Sequence, residues 1–241
     1  MSRIAVVTGG TRGIGAAIAE SLKSQGFTVA ANYAGNDERA RAFSESTGIP
    51  VFKFDVSDFE QCQAGVARIE HELGGPVEVL VNNAGITRDG TLHRMGHDAW
   101  QAVLDTNLGS CYNMCRCVID SMRERGFGRV VNVGSINGQA GQYGQVNYAA
   151  AKSGMHGFTK ALAQEGAAKG ITVNAIAPGY VDTDMVRAVP ENVLEKIIAR
   201  IPVGRLGRAQ DIARAVSFLV ADDADFITGA TLSVNGGQHM Y

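Results

Sequence analysis

Proline is scarce in this chain, at 5 of 241 residues, while glycine reaches 30. That imbalance points away from disorder and toward many tight strand-to-helix turns. An excess of either charge is also missing. The formal net charge is −2 and no block of like charge occurs, so no nucleic-acid footprint or interaction tail is indicated. No apolar run reaches about 18 residues, which excludes a membrane-spanning helix. No charged and apolar leader precedes the strand-like "RIAVVTGG", so export is not expected. Cysteine and histidine at metal-ligand spacing are lacking too. Cys62 stands alone, and Cys111, Cys115 and Cys117 share one helix-like stretch, "CYNMCRC". The expectation is free thiols in a reducing cytoplasm and no metal site.

What is present is an ordinary soluble composition, 45% hydrophobic and 19% charged, in a chain long enough for one sizeable core. Strand-like runs alternate with helix-like stretches from end to end. "RIAVVT" precedes "GIGAAIAESLKSQG", whose Ile14, Ile18 and Leu22 recur at four-residue spacing. Then come "TVAANY", a polar helix over about 36–47, "VFKF" and a helix over about 57–73. "VEVLVNNAG" follows, then a long helix over about 98–125 and "GRVVNVGS". A helix carrying Tyr148, "ITVNAIAPG" and "ATLSVNGG" complete the pattern. The strands are nearly continuous Val, Ile and Ala, as in a parallel sheet buried on both faces. The reading is α/β: a single doubly wound Rossmann domain over 1–241, with a seven-stranded parallel sheet and helices on both faces. Residues 181–207 interrupt the alternation. Leu194, Ile197, Ile198 and Ile201 mark an amphipathic helix there, bracketed by Pro190 and Pro202. Either it packs peripherally, or it is a lid over the strands' carboxyl ends, where such folds bind ligands.

"TGGTRGIG", residues 8–15, follows the first strand and opens the first helix. Gly9, Gly13 and Gly15 permit a tight turn and close backbone approach, so that a pyrophosphate can rest on the helix N-terminus. A carboxylate at the end of the second strand would bind the ribose diol of NAD. Asn32, Tyr33 and Ala34 stand there instead, while Arg12 and Arg39 are close by. Two guanidiniums suit a 2′-phosphate, which favours NADPH/NADP+. Asp37 and Glu38 are the nearby acids that weigh against this, and Arg39 could alternatively be a solvated helix residue.

Six motifs in order carry a resemblance to the short-chain dehydrogenase/reductase family over essentially the whole chain. They are "TGGTRGIG", "NNAG" at 82–85, Asn107 in "DTNL", Ser135 in "VNVGS", "YAAAK" at 148–152 and "APG" at 177–179. Within the family, "NNAGITRD", "GQYGQVNY", "PGYVDTDMV" and "NGGQHM" resemble reductases of 3-oxoacyl-CoA thioesters that serve polyhydroxybutyrate synthesis. The reductases of carrier-protein thioesters share much of this, including "NNAGITRD". The implied activity is reduction of acetoacetyl-CoA to (R)-3-hydroxybutyryl-CoA. The alternative is the same reaction on an acidic carrier protein, for which Arg125, Arg129 and Lys169 are candidate docking residues. A cofactor-sensing protein without catalysis would not need the four catalytic positions together.

The resemblance assigns catalysis to Asn107, Ser135, Tyr148 and Lys152. Ser135 would orient the substrate carbonyl, and Asn107 would hold a water linking Lys152 to solvent. Tyr148 would give the proton. Free tyrosine titrates at about 10, and bringing it to about 7 requires roughly 4 kcal/mol of preference for phenolate. One cation about 4 Å away supplies roughly that much at an effective dielectric of about 20. Lys152, one helical turn on, is expected to be that cation, with the oxidised nicotinamide adding a second positive charge. In isolation, the same pair could equally be a ring packed on a lysine stem.

The resemblance likewise implies that Thr11, Arg12 and Ile14 join the three glycines around the cofactor. Asp55 and Val56 would lie at adenine, Asn83, Ala84, Gly85 and Ile86 along its middle, and Pro178, Gly179, Tyr180 and Val181 at the nicotinamide, with Tyr148 and Lys152. For the acyl chain, Gln142, Tyr143 and Gln145 would line one wall, their amides holding the thioester and pantetheine groups. Asp89, Gly179 and Tyr180 would line the other. "GQYGQ" could instead be a plain polar loop. A homotetramer is expected from the family alone.

Overall fold

In the computed structural model, which describes residues 2–187 and 189–240, the alternation of side chains along the strands builds two hydrophobic layers. Ile4 and Val6 of β1 (Ile4–Val7) face one layer, and Ala5 and Val7 the other, because successive strand residues point to opposite faces. On one side of β1 lie β2 (Thr28–Tyr33) and, at the sheet's edge, β3 (Val51–Lys53). The other half holds β4 (Val77–Asn82), β5 (Gly128–Val133), β6 (Ile171–Pro178) and β7 (Thr231–Val234). All pair in parallel in the order β3-β2-β1-β4-β5-β6-β7. Every residue of β5 and β6 is buried, as the unbroken apolar runs require.

The first layer is filled by α1 (Gly13–Ser24), α2 (Asp37–Thr47) and α10 (Ala209–Val220), through residues such as Ile18, Phe43 and Val216. The second is filled by α3 (Phe59–Leu73), α5 (Ser110–Arg125) and α7 (Val146–Ala167), through Ile69, Met114 and Ala163. The fold is therefore the seven-stranded, doubly wound α/β sheet expected. Its strand order reverses between β1 and β4, and that reversal opens a crevice at the carboxyl ends.

Two helical expectations are revised. The stretch read as one helix over about 98–125 is α4 (His97–Leu104), a π turn (Asp105–Gly109) and α5 in succession. The wider turn accommodates Asn107, whose side chain is pulled out of the helix by bonds to another segment. The amphipathic helix near 194–201 is α9 (Glu191–Ile198), capped by Pro190 and ended before Ile201. It has no buried residue. A short helix, α8 (Asp184–Arg187), precedes it. Ala188, within the 181–207 segment, lies outside the described residues. The ends of the segment are tied together: Val181 and Gly207 form a parallel bridge, and the Gly207 amide donates to the Tyr180 carbonyl at 2.8 Å.

Candidate active site

The glycine loop connects β1 to α1 under tight steric control. Gly9 has φ +60°, and a Cβ there would stand 3.2 Å from Ala84 Cα. A Cβ on Gly15 would lie 2.2 Å from the Gly9 carbonyl oxygen. Arg12 is the N-cap of α1 yet makes no side-chain cap, and the first turn carries no acid. Four N–H groups at the start of such a helix need a partner, and its dipole favours an anion. The cradle therefore fits the pyrophosphate of a dinucleotide. Thr11 is buried at the turn, and Ile14 packs on the first hydrophobic layer.

The loop's floor was not legible in the sequence. Thr8 Oγ1 accepts from the backbone amides of Asn83 (2.9 Å) and Ala84 (3.0 Å). Asn83 Nδ2 donates to the carbonyls of Thr8 (2.9 Å) and Gly9 (3.3 Å). Asn83, expected along the cofactor's middle, thus spends its amide on bracing the glycine loop.

At the end of β2, Asn32 is buried and turned inward, donating to the Phe54 carbonyl at 2.8 Å and accepting from the Gly9 amide at 3.3 Å. Asp37, an acid that weighed against a 2′-phosphate, pairs with Lys53 at 2.9 Å. The Lys53 hydrogen bond, with one from Tyr33, holds its carboxyl below the usual range. Arg39 Nη2 pairs with Asp184 Oδ2 of α8 at 2.8 Å, a partner that no sequence pattern announced. Asp55 accepts from the amide (2.9 Å) and hydroxyl (2.8 Å) of Ser57, and Val56 beside it is buried.

The four catalytic candidates converge. Ser135, just past β5, caps α6 (Ile136–Ala140), with Oγ accepting from the Asn137 amide at 3.1 Å. Its hydroxyl faces the Tyr148 phenol. Lys152 is 3% exposed and donates to the Val133 carbonyl at 2.7 Å. Burial pushes its amine down to about 8. Its Nζ lies 5.7 Å from the centre of the Tyr148 ring. Asn107 clamps Ile86 from both sides, accepting from its amide at 2.8 Å and donating to its carbonyl at 3.0 Å. Between them sits Gly85, where a Cβ would lie 3.1 Å from Asn107 Oδ1 and 3.6 Å from Lys152 Nζ. That close approach is why the position is glycine.

One electrostatic expectation is corrected here. The Tyr148 phenol is raised, not lowered: burial pushes it up, the Ser135 hydroxyl opposes the rise, and the Asp89 carboxylate adds to it. Asn107, expected to hold a water, makes one bond from each polar atom of its side chain to Ile86.

Of the substrate candidates, Gln145 bridges the two walls. Its Oε1 accepts from Asn137 Nδ2 at 2.9 Å, and its Nε2 donates to Asp89 Oδ2 at 2.9 Å. Its amide therefore ties the two loops together. Gly90 donates to the Gly144 carbonyl at 2.8 Å beside it. Gln142 and Tyr143 are exposed at the mouth, Tyr143 at 88%. Tyr180 is half-buried across from them, its phenol raised by burial and by Asp89. Gly179 permits β6 to pass Asn235, where a Cβ would come within 2.9 Å of the backbone. Pro178 ends β6, and buried Val181 anchors the following segment. Gly138 is a further residue the sequence did not flag: a Cβ there would sit 2.7 Å from the Lys152 backbone.

The proposed carrier-docking residues do not surround this site. Arg129, near the amino end of β5, is 2% exposed and donates to the carbonyls of Ala221, Gly170 and Asp222. Arg125 donates to the Val77 carbonyl at the amino end of β4. Lys169 precedes β6. All three lie at the amino end of the sheet, opposite Ser135 and Tyr148.

Fold, glycine cradle and converging Ser-Tyr-Lys cluster define a dinucleotide-dependent oxidoreductase. A family model described as enoyl-(acyl carrier protein) reductase matches residues 9–239, and the chain belongs to the short-chain dehydrogenase/reductase family. The chain is 64% identical to an acetoacetyl-CoA reductase of Rhizobium meliloti (strain 1021) over the full length of both. An acetoacetyl-CoA reductase of Shinella zoogloeoides is 62% identical over 99% of each chain. A 3-oxoacyl-[acyl-carrier-protein] reductase of Haemophilus influenzae is 46% identical over 99% of this chain and 98% of its own.

Proposed function

We propose that this enzyme reduces acetoacetyl-CoA to (R)-3-hydroxybutyryl-CoA with NADPH, in the service of polyhydroxybutyrate synthesis. The observation that carries the chemistry is that Ser135 and Tyr148 meet beside buried Lys152, whose Nζ lies 5.7 Å from the centre of the Tyr148 ring. When bound, the reduced nicotinamide supplies the hydride that reaches the carbonyl carbon. The chain's residues supply everything else. Ser135 Oγ takes its hydrogen bond from the Asn137 amide, which leaves its own proton for the substrate oxygen. Tyr148 is protonated at neutral pH, since its phenol is raised, and it delivers that proton to the same oxygen. Lys152 remains mostly cationic at pH 7 and restores the proton balance as the tyrosine gives its proton up.

Holding the dinucleotide falls to the glycine loop with Thr11, Arg12 and Ile14, to Ile86 on its Asn107 clamp, and to Pro178, Gly179, Tyr180 and Val181. Arg39 takes the 2′-phosphate. The acyl chain enters between Gln142 and Tyr143 on one side and Tyr180 on the other. Residues 181–207 act as a lid, which the absence of any buried residue in α9 favours. CoA rather than a carrier protein is supported by identity to CoA reductases and by the burial of Arg129. Four unpaired thiols, three of them buried, suit the reducing cytoplasm.

We further propose a homotetramer. A groove of about 650 Å³ runs between α5 and α7, lined by Tyr112, Ile119, Phe158 and Leu162. A second face, near α10 and β7, exposes Phe218, Phe226 and Leu232. Two faces that each pair with their own copy about a two-fold axis generate 222 symmetry. The decisive test is NADPH consumption on acetoacetyl-CoA against the same acyl group on carrier protein. Higher kcat/KM on the CoA thioester is expected, and a large carrier preference would refute this reading.

A further inference from the structure

The Arg39–Asp184 pair joins a residue read as the 2′-phosphate site to a segment far along the chain. Both side chains are substantially exposed, at 43% and 60%, so the carboxylate can swing into water without a desolvation cost. Asp37 is already held by Lys53 and Tyr33. Asp184 is therefore the acid that Arg39 meets. Thr183, its neighbour, packs over the glycine loop, its Cγ2 3.6 Å from where a Gly13 Cβ would be. That contact seats the carboxylate beside the cradle for the cofactor's phosphates.

We infer that Asp184 is a specificity-setting residue of the cofactor site: its carboxylate occupies the Arg39 guanidinium until the 2′-phosphate of NADPH displaces it. The inference rests on the NADPH reading above. A phosphate dianion offers more acceptor oxygens and more charge to a guanidinium fork than a carboxylate does. Held on one fork, the two anions would repel each other. Binding of NADPH thus includes breaking this pair, while NADH leaves it intact. Asp184 consequently moderates the preference that Arg39 creates, acting through Arg39 as a positioning residue.

The test is a double-mutant cycle read by equilibrium binding of NADPH and NADH at fixed ionic strength. Asp184→Asn should tighten NADPH by about 2- to 5-fold while leaving NADH within about 1.5-fold. Asp184→Glu should restore the wild-type values. In an Arg39→Ala background, Asp184→Asn should no longer tighten NADPH. Weaker NADPH binding in Asp184→Asn, equal shifts for both cofactors, or the same tightening without Arg39 would each overturn the inference. If Arg39→Ala alone weakens NADPH and NADH equally, the 2′-phosphate reading itself fails, and that outcome is visible before Asp184 is touched. Circular dichroism of the exposed-site variants confirms that folding is not what changed.

Discussion

At the scale of single residues, the pair Tyr148 and Lys152 divides the work differently from the simple picture of a lysine acidifying a phenol. Burial raises the phenol, which keeps a proton donor loaded at neutral pH. Burial also depresses the amine to about 8. Tyr148→Phe removes the proton but keeps the ring's packing. Turnover should fall by about 10²–10⁴-fold with cofactor affinity nearly unchanged; a loss of only a few-fold in a steady-state assay would remove Tyr148 from the donor role. Lys152 makes a pH prediction. Reduction that needs the ammonium should decline as pH rises through about 8, with loss appearing in kcat rather than KM. The stability sign follows from the same shift. A lysine whose folded pKa lies below its unfolded one destabilises the fold at low pH, and that penalty is relieved as pH climbs from about 8 toward about 10.5. Its size is on the order of 3 kcal/mol. Lys152→Met should therefore abolish turnover while the neutral-pH melting temperature stays equal or rises; a clear drop in calorimetry would contradict the burial argument.

Among the elements, α6 and the loops around it fix the distance between walls of the cleft. Asn137 contributes its amide to Ser135 and its side chain to Gln145, which in turn holds Asp89. Asn137→Ala would free Gln145 and the Asp89 loop without touching the proton donor. Raised KM for the thioester, by about 2- to 5-fold for one lost part-buried hydrogen bond of about 0.5–1 kcal/mol, is expected with cofactor KM unmoved. Equal damage to both constants would mean Asn137 serves only folding. Gly138→Ala should do something different, since the added methyl meets backbone rather than a movable side chain. It should displace α6 from α7 and lower kcat with melting temperature, measurable in the same two assays.

For the whole molecule, the sheet places the cofactor cradle, Ser135 and the 181–207 segment at one end, leaving the α5–α7 groove on a side. Ile119→Asp combined with Phe158→Asp should split four-chain assemblies into pairs in native mass spectrometry. An unchanged mass would place the subunit contact elsewhere.

Motif order and the continuous Val and Ile runs were enough to determine the parallel sheet and the glycine cradle, while the four catalytic candidates were named by the family resemblance. Sheet and cradle follow from local pattern: period-two and period-3.6 burial, and glycines where backbone must approach backbone. The π turn at Asn107 carried no compositional mark, because an extra residue per turn is imposed by the bonds to Ile86. Thr8 under the glycine loop, Gln145 held between Asn137 and Asp89, Arg129 buried at the amino end of the sheet, and Asp184 on Arg39 were decided only by tertiary structure. Each depends on partners tens of residues away in the chain. The direction of the Tyr148 shift belongs with them, since desolvation and the distance of a charge from the phenolic oxygen exist only once the chain is folded.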